Sequence, residues 1–218
     1  MRLLSRFLSL FPLLNLTLIL AASAGFVVAP SAVMAFAVLF ACYGVPLCAF
    51  RLIGVWCPLR QGRSLLDEWR YSAWWGGHQI QAIYIALPQL ESLLQLVPGL
   101  FSLWLRLWGS KVGRCVYWTP RVEIADRSLL EIGDRVVFGH KVEMYAHVVR
   151  PKGGHLVLYV RKITIGKDVF VGAGSRIGPG VRIEDGVHLP ILTDVFPNRR
   201  VLNGKLVPAV SHLMRAVS

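Results

Sequence analysis

Cysteine is scarce in this sequence, and the few cysteines lie apart from one another. The 218 residues contain four, which are Cys42, Cys48, Cys57 and Cys115. They form no CxxC pair and no mixed Cys/His cluster, so the sequence predicts neither a zinc site nor a disulfide framework. We therefore expect reduced cysteines that fill apolar space, and no bound metal.

Acidic residues are also few, with twelve Asp and Glu against twenty-four Lys and Arg and a net charge of +12. Nucleic-acid binding is not expected, because the sequence shows no helix-turn-helix pattern, no zinc-finger spacing and no aromatic RNA-recognition motif. Clustered Lys and Arg also attract anionic lipid headgroups or a phosphate-bearing cosubstrate. These two partners are the ones that the charge predicts.

Charged residues are absent from two long apolar segments near the beginning of the chain. The first runs from Phe7 to Val28 and the second from Ala29 to Phe50, with Pro30 near the junction. As a helix the first segment spans roughly 33 Å, against about 30 Å for the hydrocarbon core of a bilayer. The sequence therefore predicts a transmembrane helical hairpin over residues 1–55.

The basic residues that flank the two segments predict the orientation of this hairpin. They are Arg2, Arg6, Arg51, Arg60 and Arg63. The positive-inside rule places both ends in the cytoplasm, so we predict a multi-pass protein of the bacterial inner (cytoplasmic) membrane, with its catalytic domain on the cytoplasmic side. A cleaved signal peptide ending near Ala22-Ser23-Ala24 is the alternative interpretation.

A tryptophan-rich segment follows over residues 56–111. Between Ser64 and Lys111 it contains five tryptophans, which are Trp69, Trp74, Trp75, Trp104 and Trp108. Indole rings favour the headgroup level of a membrane, which predicts three short interfacial helices, the first beginning near Ser64. The alternative is that these rings form the core of a helical subdomain.

An aliphatic residue recurs every sixth position in the last hundred residues. The series is Ile165, Val171, Ile177, Ile183, Leu189 and Val195, and it is preceded by Val112, Trp118, Ile124, Ile132, Phe138 and Met144. A helix repeats near 3.6 residues and a strand at 2, so a period of six indicates stacked coils around a continuous core. The fold class is therefore α+β.

This period is interrupted between Met144 and Ile165, which are twenty-one residues apart. The interruption contains Pro151, Gly153 and Gly154 and predicts a loop that leaves the coil between roughly residues 147 and 162. Loops held on a rigid scaffold commonly carry chemistry.

The segment Ile165–Val181, which reads IGKDVFVGAGSRIGPGV, resembles the hexapeptide-repeat acyltransferases. The resemblance covers Val112 to about Val195 and implies a left-handed parallel β-helix over residues 112–200, a homotrimer, and a C-terminal tail at 201–218. Residues 105–114, which read LRLWGSKVGR, are similar to the corresponding segment of membrane-linked members, among them the terminal domains of peptide-synthetase-like proteins.

The resemblance also implies the catalytic residues. His147, just before the loop, matches the histidine that deprotonates the acceptor, and His155 within the loop is a second candidate that could reach a neighbouring subunit's cleft. Relatives often carry a carboxylate shortly after this histidine, where this chain has Val148-Val149-Arg150. Glu143 is then the candidate that orients His147. His140 is a third histidine, within a regular hexapeptide.

The cosubstrate implied by the resemblance is an acyl-CoA or an acyl carrier protein thioester. The residues that fit its phosphates and pantetheine arm are Arg161, Lys162, Lys167, Gly172, Ala173, Gly174, Ser175 and Arg176. The predicted partners are membrane lipids, further copies of the chain and acyl carrier protein.

The predicted function is transfer of an acyl or acetyl group to a hydroxyl or amine of a membrane-proximal acceptor, with His147 as general base. One alternative is a non-catalytic trimeric membrane scaffold. The other is a hydratase resembling γ-class carbonic anhydrases, although the histidine spacings of seven and eight do not match that family's motif.

Overall fold

The computed structural model describes residues 2–66, 71–202 and 205–208. The chain divides into two compact units. The first unit lies within Met1–Glu91 and Val149–Leu158, and the second within Ser92–Val148 and Tyr159–Ser218.

The first unit consists mainly of apolar helices. They are α1 (Arg2–Ser9), α2 (Phe11–Val28), α3 (Ala32–Leu39) and α4 (Val45–Trp56), with a π-helical turn over Phe40–Gly44 between α3 and α4, followed by α5 (Ala73–Ala86). The break between α2 and α3 is stabilised at Ser31, whose hydroxyl accepts a hydrogen bond from the backbone N–H of Met34. Helix α6 (Gln89–Gln95) begins in this unit, and α2 and α4 each carry a proline in the first turn.

Helix α5 contacts α1, α2 and α4 and forms the centre of this unit. Its Gly76-Gly77 pair permits the close approach, because a Cβ at Gly76 would overlap Leu8 of α1 and one at Gly77 would crowd the Phe50 ring of α4. The helix begins after Ser72, whose hydroxyl accepts from Trp75 N–H. The predicted helix start near Ser64 is wrong, because Ser64 lies in strand β1 (Gly62–Leu66).

The interruption of the six-residue period is a β-hairpin rather than an irregular loop. Strands β8 (His147–Lys152) and β9 (His155–Val160) are joined by Gly153 and Gly154, which both have positive φ. Together with β1 they form a three-stranded sheet in the order β1-β9-β8. The hairpin thus pairs with the strand that follows α4.

The second unit is a three-sided coil of parallel strands preceded by helix α7 (Leu100–Trp108). Its strands are β2 (Lys111–Val112), β3 (Tyr117–Trp118), β4 (Glu123–Ile124), β5 (Leu130–Ile132), β6 (Val137–Phe138), β7 (Glu143–Met144), β10 (Ile163–Ile165), β11 (Phe170–Val171), β12 (Arg176–Ile177), β13 (Arg182–Ile183), β14 (His188–Leu189) and β15 (Asp194–Val195). Successive strands contribute in turn to three sheets, so each turn of the coil adds one strand to every side.

The six-residue period is confirmed as the core of this coil. Each aliphatic residue of the series ends a strand, and the six from Ile165 to Val195 are at most 2% exposed. The strand register stacks equivalent residues of successive turns, since Ile132, Ile165 and Ile183 are successive partners in the first sheet. The coil is therefore filled by stacked aliphatic side chains, as the sequence predicted.

Helix α7 closes the N-terminal end of the coil. The indole N–H of Trp118 donates to Ser102 Oγ at 2.8 Å, while its ring meets Phe101 edge-on and stacks on Phe138 of the next turn. Trp104 and Trp108 are 4% and 1% exposed. For Trp104 and Trp108 the structure therefore favours the alternative interpretation, in which the indole rings form a core.

The C-terminal end of the coil has a different cover. Strand β16 (Arg199–Leu202) extends the first sheet in parallel, and β17 (Lys205–Pro208) then pairs with β16 in the antiparallel direction. The outer surface of the coil carries ion pairs between turns. Arg135 pairs with Asp168 of the next turn and lowers the pKa of that carboxyl. Such exposed pairs contribute little to stability.

Close stacking predicts a sharp penalty at Gly133. A Cβ there would lie within about 2.6–2.8 Å of the backbone of Gly166 and Lys167, which cannot move aside. We expect Gly133→Ala to destabilise the coil by roughly 2–3 kcal/mol, as overpacking does. Thermal unfolding followed by circular dichroism measures this.

The matched control is Gly186→Ala. Gly186 has φ +69° but no atom near a new Cβ, so it tests backbone strain without overlap and should cost about 1 kcal/mol. Equal loss in the two variants would contradict the proposed close contact between turns.

Candidate active site

His147 lies at the corner where the third side of the coil turns towards the first. It directly follows Ala146 at the end of the β7 turn and begins β8. Its side chain is 17% exposed, so the ring is largely enclosed and still open at one edge. The chain returns to the same corner at Arg161, whose N–H donates to the Ala146 carbonyl at 2.8 Å.

The partner of His147 is Asp126, from the same corner one turn earlier. Register pairs Ile124 with Met144, which places Asp126 beside Ala146. Asp126 Oδ2 accepts from His147 Nδ1 at 2.7 Å and from the Ala146 N–H at 2.9 Å. The Asp126 side chain is 4% exposed, so both hydrogen bonds are shielded from water.

This pairing assigns a proton to one nitrogen of the imidazole. An ionised carboxylate only accepts hydrogen bonds, so His147 Nδ1 carries the hydrogen and Nε2 of the neutral ring keeps its lone pair. The second bond, from Ala146 N–H, fixes the carboxylate itself. Asp126 and His147 together form a site that can take a proton at Nε2 and return it.

Glu143 is not the residue that orients His147, so that prediction is wrong. Its Oε2 accepts from the Tyr145 hydroxyl at 2.8 Å, on the outer surface of the third sheet. Burial, followed by this carboxylate, raises the pKa of Tyr145. The alternation of side chains along a strand explains the difference, because Glu143 points outward two residues before the corner.

The other two candidate histidines, His155 and His140, lie elsewhere. His155 is exposed at the start of β9, in the part of the hairpin that belongs to the first unit. His140 is exposed at a corner, with Nδ1 3.0 Å from the Pro120 carbonyl. The structure shows a carboxylate partner for His147 at hydrogen-bonding distance.

The basic residues predicted to bind the cosubstrate are not gathered in one place within the chain. Arg161 lies at the His147 corner, where its Nη1 donates to Asn198 Oδ1 at 3.2 Å. Lys162 pairs with Glu131 at 2.8 Å, and Arg176 holds Asp194 through two hydrogen bonds on the third sheet. Lys167 follows β10 at the next corner and is exposed.

The predicted pantetheine segment lies at the remaining corner, between β11 and β12. It comprises Gly172, Ala173, Gly174 and Ser175. A Cβ at Gly172 would overlap the Pro190 backbone, Gly174 has φ +69°, and Ser175 is fully buried, where its Oγ bridges Pro190 and Thr193. These features explain the small residues by contact between turns, independently of any ligand.

A shallow recess of about 450 Å³ lies beside Arg106, Lys111, Gly133 and Lys167. It occupies the corner between the first and second sheets and does not include His147. Among the described residues, no three His, Cys, Asp or Glu side chains converge as metal ligands would.

The sequence contains a signal for Asp126 that simple counting by six misses. Ile124 and Ile132 are eight residues apart, so this corner holds two residues more than the others. Aligning the aliphatic series turn by turn, Ile124 on Met144, places Asp126 next to the residue before His147. Two irregular corners stacked on one another were the indication of a site.

Comparison with known proteins adds distant structural similarities. No family model and no curated protein matches the chain. The chain is similar to a hexapeptide-repeat-containing acetyltransferase from Vibrio cholerae, at 16% identity and a TM-score of 0.39, with 59% of this chain and 93% of that chain covered.

Two further solved structures show a comparable likeness. A hexapeptide-repeat-containing acetyltransferase from Vibrio cholerae O1 biovar eltor, complexed with acetyl coenzyme A, is 18% identical with a TM-score of 0.41, covering 56% of this chain and 83% of that chain. A maltose O-acetyltransferase from Clostridium difficile 630 is 18% identical with a TM-score of 0.37, covering 59% and 86%.

The hydrogen bond from His147 to Asp126 predicts which tautomer the ring adopts. In Asp126→Ala the shared acceptor Oδ2 is removed, so this bond no longer holds the ring hydrogen on His147 Nδ1 and the neutral ring also populates the form with hydrogen on Nε2. We expect the ¹⁵N shifts of the His147 ring, measured on the histidine-labelled full chain, to report this exchange.

Glu143→Gln is the matched control, because Glu143 bonds to Tyr145 and not to the imidazole. It should leave the His147 shifts as in the unmodified protein. Hydrogen retained on Nδ1 alone in Asp126→Ala would show that Asp126 does not set the tautomer.

Proposed function

We propose that this chain is a membrane-anchored acyltransferase in which His147 acts as general base. The observation that carries the proposal is the buried Asp126 carboxylate, bonded to His147 Nδ1 at the corner where the coil is interrupted. An imidazole that is oriented through Nδ1 and is 17% exposed suits proton transfer near neutral pH.

The proposed reaction joins an acceptor hydroxyl or amine to the acyl group of a thioester. His147 Nε2 takes the proton of the acceptor as its oxygen or nitrogen bonds to the thioester carbonyl carbon. The carbon–sulfur bond then breaks, and the imidazolium returns the proton to the leaving thiolate. Asp126 stabilises the imidazolium while it carries the extra charge.

The residues fit an acyl-CoA cosubstrate only in part. Lys162 and Arg176 already pair with carboxylates, whereas Lys167 is exposed and Arg161 lies at the His147 corner. We therefore propose Arg161 and Lys167 as the first candidates for phosphate binding. Their separation on the coil suits a cleft completed by a neighbouring copy, in a homotrimer of left-handed coils.

The N-terminal helices support anchoring in a membrane. Two spans, Phe11–Val28 and Ala32–Trp56, are long and apolar enough to cross a bilayer. In α2 the one buried residue is Asn15, whereas Leu13, Leu20 and Val27 are 62%, 61% and 77% exposed. A helix that turns its apolar residues outward suits lipid as its solvent.

Anchoring also gives a reason for the acceptor. An enzyme and a substrate confined to one membrane surface meet at a raised effective concentration without any added contact. We propose that the acceptor is a lipid-linked hydroxyl or amine on the cytoplasmic side.

Loss of the base should abolish the reaction. In His147→Ala we expect the rate of acyl transfer to fall by roughly 10²- to 10⁴-fold, the usual contribution of a positioned base. Mass spectrometry of lipid extracts from cells that express each form would show an acyl-sized mass difference with the unmodified protein and none with His147→Ala.

His140→Ala is the control, since His140 is exposed and lies away from Asp126. It should keep the mass difference, and both variants should unfold at the temperature of the parent. Transfer that survives His147→Ala would remove His147 from the mechanism, and a scaffold without activity would give no mass difference in any form.

Membrane orientation has its own test. Fractionation should place the full chain with the membranes, and a fluorescent reporter fused after Ser218 should be active in the cytoplasm. Activity of a periplasm-specific reporter at that position would contradict the orientation, and recovery in the soluble fraction would contradict the anchoring.

A further inference from the structure

The sheet formed by β1, β9 and β8 carries a group of exposed bases. Arg60 lies just before β1 and Arg63 within it, and Arg150 and Lys152 lie on β8. All four are exposed, and all four belong to the first unit. We call these four residues the basic surface.

The segments that form the basic surface contain no carboxylate of their own. Residues 51–66 and 147–160 hold no Asp or Glu, and the first acidic residue of the whole chain is Asp67. The coil is different, because there Arg135, Arg176 and Arg200 each pair with a carboxylate of a neighbouring turn. These three arginines are thus neutralised within the coil, while residues 51–66 and 147–160 supply no carboxylate to the basic surface.

Exposed apolar side chains accompany these bases. Trp56 at the end of α4 is 84% exposed, and Leu65 on β1 and Leu156 on β9 are 56% and 49% exposed. A mixture of bases with exposed tryptophan and leucine is typical of a surface that lies against lipid headgroups. A site that binds a soluble phosphate compound does not require exposed apolar side chains.

The position of the sheet in the chain points the same way. The second apolar span ends at Trp56, and β1 begins at Gly62. The five residues between them can extend at most about 18 Å. Strand β1, and the hairpin that pairs with it, must therefore lie close to the end of this span.

We propose that the basic surface binds the phosphate groups of anionic lipid headgroups. The inference rests on the proposed membrane anchoring and adds the lipid class that the protein recognises. Binding would hold the β8–β9 hairpin at the headgroup level, and β8 is the strand that begins with His147. Each base attracts a negatively charged surface independently of the others. The factors by which binding falls when single bases are removed therefore multiply.

The test measures which lipids the full chain retains. The protein is purified in detergent, mixed with micelles that contain equal amounts of dioleoyl phosphatidylglycerol and phosphatidylcholine, recovered by affinity, and its bound lipids are counted by mass spectrometry. We expect more phosphatidylglycerol than phosphatidylcholine. In Arg63→Gln/Arg150→Gln/Lys152→Gln this preference should fall by about fivefold for each removed charge.

The matched control removes three exposed bases from the coil, as Arg121→Gln/Lys141→Gln/Arg182→Gln. It lowers the net charge equally and should keep the preference of the unmodified protein. An equal loss in both variants, or no loss in the first, would overturn the proposal.

Two further measurements keep the outcome decisive. Raising salt to 1 M shortens the screening length to about 3 Å and should remove the lipid preference of the unmodified protein. This measurement tests the proposal even if the triple variant does not fold. Displacement of the lipid by an equal concentration of coenzyme A or inorganic phosphate would assign the surface to a soluble compound instead.

These results are separable from the proposed function. Lipid retention is measured without any acyl donor, so absence of acyl transfer leaves it unchanged. A membrane protein that retains both lipids equally would refute the lipid inference alone, whereas a chain found in the soluble fraction would refute the anchoring.

Discussion

The parallel hydrogen bonds between successive turns are the constraint on which the second unit depends. Hydrogen-bonded strands lie only about 4.8 Å apart in any sheet, which leaves little space at the corners between neighbouring turns. Gly113, Gly133 and Gly166 follow one another in a column, and a Cβ on any of them would overlap the next turn. Aliphatic residues fill the interior for the same reason, since each position inside the coil recurs at every turn.

A corner that breaks this regularity is free to carry chemistry. The corner at Asp126 has two extra residues, and the corner above it opens into the hairpin. Stacking brings the two together, so that one carboxylate oxygen meets both the backbone N–H of Ala146 and the ring of His147. The rigid turns fix this geometry because the coil cannot change the register of one strand without changing its neighbours.

Much of this arrangement could be predicted from the sequence, and the remainder depends on contacts between turns. The period of six located the core strands, because it repeats along the chain. Its interruption indicated a segment that leaves the coil, next to the histidine that the family resemblance implied. The oriented pair was missed because Asp126 is twenty-one residues from His147. Glu143 was the candidate because no carboxylate follows shortly after His147, but alternation directs the Glu143 side chain outward to Tyr145.

Residues predicted as ligands through the resemblance show a second limit of sequence patterns. Ser175 is fully buried between turns, and Gly172 is needed to avoid Pro190. A small residue required by close stacking and one required by a ligand look alike in a sequence. Only the position of each side chain relative to the next turn separates the two reasons.

Strand β17 reverses direction after four parallel additions to the first sheet. A coil that ended on β16 would offer that strand's free backbone groups to the first turn of any other coil, and end-to-end addition could then continue without limit. An antiparallel strand at this edge does not present the register that another turn requires. The reversal therefore opposes end-to-end addition of a second coil at the edge of the first sheet.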